Sequence, residues 1–164
     1  MSEESEKVLG VEKLPIFPLP LVLLPHELLP LHIFEPRYRE MLADISVGKK
    51  LFGISMFEPE SEFEDRPAIG SIGCAAELRE SEALPDGRHN ILTVGVIRYR
   101  ISDFVETDSS YIVAKVDFFE DEPDDSAETE ELAEEVFKLF KRVAKAAHNL
   151  SGQRGELPEI PKAP

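Results

Sequence analysis

Few residues in this chain stand at a spacing that chemistry requires. Residues 53–57 read GISMF. They hold the first glycine and the serine of a hydrolase elbow, G-x-S-x-G, but Phe57 occupies the closing position. Ser55 also sits inside an apolar run, so no catalytic role is expected for it. Gly48-Lys49-Lys50 lacks the second glycine and the hydroxyl of a phosphate-wrapping loop. Cys74 could act as a nucleophile only beside a base, and in the run GCAAEL it reads as a small buried apolar residue. His26, His32, His89 and His148 are scattered with no H-x-x-H spacing, so no metal centre is expected. Glu58, Glu60, Glu62, Glu64 and Asp65 form an acidic stretch without the central glycine of a calcium loop, the pattern of a solvated loop. Arg37 with Arg39, and Arg98 with Arg100, could touch RNA only alongside exposed aromatics. The neighbouring Tyr38 and Tyr99 fit core or edge positions by periodicity instead. The chain reads as a non-enzyme with no cofactor.

Charge points the same way. Thirty-three acids against eighteen bases give a net charge of −15 over 164 residues. That balance repels phosphate backbones and anionic membrane surfaces, so neither nucleic acid nor membrane is an expected partner. One cysteine excludes an internal disulfide and fits a reducing cytoplasm. The first twelve residues are polar and acidic, without a signal-peptide pattern, and are expected to form a flexible tail.

The element that must position everything else is the stretch 14–38, LPIFPLPLVLLPHELLPLHIFEPRY. It is apolar enough to be buried, yet its prolines remove backbone donors and bias each preceding residue toward extended geometry. A continuous helix is excluded. Short strands at edges, bulges or seams of a barrel are expected, stapling a small β-rich body together. Glu35-Pro36 then starts a short helix, with Tyr38, Met41, Leu42 and Ile45 on one face. Strands are expected over 51–57 and 68–79, with the turn Leu84-Pro-Asp-Gly87 between the latter and 90–94. Gly95 separates 90–94 from a further strand over 96–104, and another follows over 111–119. Eleven acids fall between Asp117 and Glu135 with no Lys or Arg among them. Asp125 or Ser126 can cap a long helix there, whose apolar stripe runs from Leu132 to Leu150. Residues 153–164 read as a linker or as the start of a further helical region.

Several of these blocks occur in an order that resembles the Lon protease N-terminal domain family, in its stand-alone bacterial form. They are LPIFPL, LLPHELLPLHIFEPRY, FGI, IGCAAEL, LPDGR, LTVGVIRYRI and YIVAKV. The family commonly has Phe where Tyr99 stands and a small residue such as Thr at Cys74. The resemblance implies an α+β fold: a mixed β pseudo-barrel, similar to the PUA fold, over 13–120 and a helical extension over 121–152. It implies a module for recognising protein substrates and for contacts between subunits, without the ATPase and Ser–Lys peptidase modules. A protease label would be inherited from the family name alone.

The expected function is therefore non-catalytic recognition of unfolded or partly folded proteins or peptides. Phe34, Arg37, Tyr38, Arg39 and Met41, with Phe57 and Phe63 of the following loop, are the candidate contacts. The alternatives are an RNA-binding PUA-like domain, by fold analogy, and a self-associating scaffold that pairs through the 126–150 helix.

Overall fold

The computed structural model describes residues 2–151. The chain divides into two units, 1–120 and 121–164, each described by itself.

In the first unit six strands alternate with two helices: α1 (Glu3–Lys7), β1 (Lys13–Leu19), β2 (Leu28–Ile33), α2 (Pro36–Ser46), β3 (Leu51–Met56), β4 (Ile72–Ala83), β5 (His89–Val105) and β6 (Ile112–Phe119). The sheet order is β2-β5-β4-β3-β1-β6, and β6 pairs again with β5. The ladder β5-β4-β3-β1-β6 thus returns to its starting strand, and β2 lies outside this ring, paired to β5 alone. Every contact is antiparallel except β1 with β3.

The prolines of β1 are accommodated at a seam. Residues 13–16 pair with β6 and residues 16–19 with β3, so Pro15 and Pro18 each lie in a half that is paired on one side. A missing N–H costs little where no ladder partner waits for it. The following loop is pinned across β5 at Gly95. Its N–H donates to the Glu27 carbonyl at 2.9 Å, and its own carbonyl accepts from His26 N–H at 2.8 Å. A Cβ at Gly95 would run into the carbonyl oxygen of Leu24. Glycine is required because two backbones approach closely.

Gly95 does not separate two strands as its position in the sequence implied. β5 runs through it, and the pairing shifts as Ala75↔Ile97 gives way to Ala76↔Gly95. Val96 is the extra residue of a bulge. The strand expected from residue 68 begins at Ile72, since Gly70 adopts φ 90° and turns the chain. The N-terminal residues also differ from a flexible tail. Ser2 caps α1 by accepting from Ser5 N–H at 3.1 Å, the Ser2 and Ser5 hydroxyls donate to Glu120, and Val8 is buried. Val8 in the core and these polar contacts, with Lys7 3.3 Å from Glu77, together anchor the segment.

Two apolar clusters form the core. One joins Phe17, Leu23, Ile33, Phe52 and Ile91 to the inward face of α2. The other surrounds Leu14, Ile16, Val96, Tyr99 and Ile101, with Val8 beside them. Burial of this order, at roughly 25 cal/mol per Å2 of apolar surface, drives the fold.

In the second unit α3 (Ala127–Leu150) is a single helix. Ser126 Oγ accepts from Thr129 N–H at 3.3 Å and Asp124 accepts from the Thr129 hydroxyl at 2.7 Å. Glu128 and Glu130 lie in its first turn, where the helix dipole favours anions.

Candidate protein-binding surface

The residues with chemical potential are used structurally. Ser55 is fully buried, and its hydroxyl shares a 2.7 Å hydrogen bond with the Tyr99 phenol. Burial pushes that phenol well above its ordinary range, so Tyr99 is neutral and supplies no base. Its ring lies over a glycine shelf. A Cβ at Gly53 would stand 2.7 Å from Tyr99 Cζ, and one at Gly73 would stand 2.6 Å from the Ile54 carbonyl oxygen. The Cys74 thiol is buried, meets the Ala75 carbonyl oxygen at 3.5 Å, and is pushed up to about 11 by that burial. A thiol held neutral at pH 7 is a poor nucleophile. Among the described residues no group of three or more His, Cys, Asp or Glu is placed to hold a metal ion. No helix among them is long and apolar enough to cross a membrane. A concavity of about 480 Å3 between residues 10–14 and the end of α2 carries Lys13, Lys49 and Lys50. Lys49 already donates to the Leu9 carbonyl there.

What the fold does present is an apolar row on the outside of β2. Leu28, Pro30 and His32 alternate outward, while Ile33 turns into the core. Their partners on β5 are Val94, Leu92 and Asn90, which share the same face because residues directly opposite in a ladder point the same way. Leu24, exposed beside Gly95, extends the row at one end, and Phe34 extends it at the other. The Phe34 ring stacks on His32 at 6.0 Å and is 58% exposed. One strand further in, Leu92 is opposite Glu80 and Asn90 is opposite Glu82. An apolar row therefore runs beside a line of carboxylates.

The seven candidate contacts separate into three groups. Phe34, Arg37 and Arg39 are exposed at the β2–α2 corner. Arg37 is tied to Glu35 at 3.0 Å and lies 4.6 Å over the Tyr38 ring, and Arg39 reaches the hairpin turn at Gly87. Tyr38 and Met41 cannot meet a partner and are corrected to core residues. Tyr38 packs on Phe17 with ring centroids 4.0 Å apart, and Met41 is 1% exposed. Their helical spacing already placed them on the inward face of α2. Phe57 is half-buried, with its N–H bonded to Leu19 O at 2.9 Å, and Phe63 is fully open in the connection after it. These two leave β3 beyond Ser55, which is level with Gly73 and Tyr99, whereas Ile33 is level with His89. Phe34 and the Phe57–Phe63 pair therefore belong to opposite ends of β5.

Sequence reasoning missed Leu24, Leu28 and Pro30. The run LLPL is apolar at every position, and only the pairing with β5 decides which side of it meets solvent.

The fold is a mixed α+β domain whose strands form a ring with one strand added outside. Its family follows from comparison. Residues 13–162 match the model of the ATP-dependent protease La (LON) substrate-binding domain, and the chain belongs to that family. It is 30% identical over 134 residues to a Lon protease of Dictyoglomus thermophilum, covering 81% of this chain. A Lon protease of Flavobacterium johnsoniae is 26% identical over 161 residues. The chain spans 17% of the length of the first of these and 20% of the second. A Lon N-terminal domain protein from Xanthomonas campestris superposes with a TM-score of 0.64 at 26% identity, covering 79% of this chain and 74% of that one. The N-terminal domain of a Mycobacterium avium complex Lon protease shares the fold, with a TM-score of 0.65 at 16% identity and coverages of 85% and 71%.

Proposed function

We propose that this domain recognises polypeptide without catalysis, holding extended apolar stretches of unfolded or partly folded proteins against the outer face of β2 and β5. The observation that carries the reading is the exposed row of Leu28 and Pro30 on β2, a strand outside the ring, extended by Leu24 before it and Phe34 after it. Contiguous exposed apolar surface on a folded domain marks a contact face. Membership of a family described as substrate-binding supports the same reading.

The chemistry of the face sets the kind of segment it takes. A free strand edge accepts a partner strand through main-chain hydrogen bonds, with alternate side chains read by the surface beneath. Pro30 takes one donor out of the middle of β2, so a full ladder cannot form and side-chain contact must carry most of the affinity. Glu80 and Glu82 beside the row favour segments in which apolar residues alternate with Lys or Arg. Arg37 and Arg39 border the same end as Phe34. Phe57 and Phe63 form a second, separate contact. Neither ATP hydrolysis nor peptide cleavage belongs to this chain in this reading, and its setting is the cytoplasm. RNA is disfavoured, because a carboxylate-lined face on a chain of net charge −15 opposes phosphate.

Fluorescence anisotropy with a labelled, reduced and carboxymethylated unfolded protein tests this. The expected result is saturable binding that the double substitution L28D/F34S weakens about tenfold or more, equivalent to about 1.4 kcal/mol. Absence of binding across the accessible range, or full binding by the L28D/F34S variant, contradicts the reading.

A further inference from the structure

We infer that the concavity between residues 10–14 and the end of α2 binds a small, multiply charged oxyanion of the phosphate type, such as pyrophosphate. Lys13, Lys49 and Lys50 line it, in a chain with thirty-three acids and eighteen bases. A fourth lysine stands beside them, because Lys13 is directly opposite Lys115 in the ladder of β1 and β6. Residues so placed share a face, and like charges there repel. Among the described residues Lys13, Lys50 and Lys115 form no ion pair. The nearby carboxylates serve other donors. Asp44, which also lines the concavity, accepts from the Tyr111 hydroxyl at 2.7 Å. Asp103, opposite Lys115 on β5, accepts from the Phe104 N–H at 2.9 Å. Glu12 is the one other carboxylate in the lining, against three lysines.

The backbone at Lys50 is a second, independent observation. Its φ of 59° is a left-handed conformation that favours glycine, and among the described residues only His26 shares it without being glycine. The position is held on both sides: Lys50 N–H donates to the Ile45 carbonyl at 3.2 Å, and its own carbonyl accepts from Leu78 N–H at 2.9 Å. A glycine would follow α2 there without strain. The chain sets an amine there instead, against the concavity. Lys49 ties the two walls together by donating to the Leu9 carbonyl.

Size and charge set the ligand. A volume of about 480 Å3 is that of a small-molecule pocket. A lysine ammonium is a point charge, which takes phosphate oxygens without the paired geometry that an arginine fork offers a carboxylate. The net charge of −15 does not forbid this, because at physiological salt charges beyond about 8 Å are largely screened and the local set decides. The site is separate from the client face proposed for β2. Phe34 precedes the first residue of α2, and Lys49 and Lys50 follow its last.

Titration of the full chain with pyrophosphate at low ionic strength, followed by amide chemical shifts, tests this. Saturable shifts are expected at residues 10–14 and 48–51. K13Q/K50G should bind about tenfold more weakly or worse. Its thermal midpoint without ligand should be no lower than the parent's, since glycine accepts φ 59° freely, and this separates a lost site from a lost fold. Citrate, also multiply charged, should bind more weakly than pyrophosphate. Absence of saturable shifts overturns the inference, as do shifts confined to Arg37 and Arg39 or to Arg98 and Arg100. Undiminished binding by K13Q/K50G overturns it too, and citrate binding as tightly as pyrophosphate overturns the assignment to phosphate.

Discussion

At the scale of single residues, the contact between Tyr99 and Ser55 shows how the core tolerates a polar pair. A phenol and a hydroxyl would each be costly to bury alone, and each satisfies the other at 2.7 Å. Tyr99→Phe leaves the Ser55 hydroxyl without that partner and should cost about 1–3 kcal/mol in chemical denaturation. Ser55→Ala should cost a similar amount by stranding the phenol. The double variant should cost clearly less than the sum, because the two losses are one interaction. Additive losses would show that the hydrogen bond contributes little. None of this was legible from the residues in order. Ser55 and Tyr99 are forty-four positions apart, and periodicity placed each inside without saying that they meet. Cys74 was legible, because a lone cysteine in GCAAEL has few other uses.

At the scale of elements, the proline-rich stretch governs the fold through corners. β1 divides its two edges between β6 and β3, and the loop behind it is clamped at Gly95. Gly95→Ala would drive a methyl group into the Leu24 carbonyl. It should destabilise the domain by about 1–3 kcal/mol, as overpacked sites do, with loss of protection in the 20–27 loop. A variant as stable as the parent would mean that the loop moves aside freely. Most strand segments along the chain, the α2 face and a cap at Asp125 or Ser126 were readable from prolines, periodicity and capping residues, whereas the order of strands in the sheet was not. The continuity of β5 was not, since a glycine at a bulge and a glycine at a break look alike in sequence. Nor was the anchoring of the first residues, where Val8 enters the core and Ser2, Ser5 and Lys7 find partners far along the chain. The direction in which Leu28, Pro30 and Phe34 face was set by register with β5, a long-range property. Phe34 was therefore singled out from sequence while its neighbours on the same row were overlooked.

At the scale of the whole molecule, acidity and apolar exposure act together. A net charge of −15 adds mutual repulsion between copies of a chain that carries an exposed apolar row and an exposed helical stripe. For the client face proposed above, the same charge would favour segments that bring positive charge along with apolar side chains. The fold contributes a ring of strands, and β2 stands outside it with an exposed apolar row, the place where the proposed reading seats a polypeptide. Hydrogen exchange at the backbone, measured with and without a saturating apolar, lysine-containing unfolded polypeptide, examines that assignment directly. The account predicts slowed exchange across residues 28–34 and the adjoining 90–94, with the buried strands β1 and β3 unchanged. Slowing confined to residues 57–66, or none anywhere in the first unit while the polypeptide is bound, would contradict it.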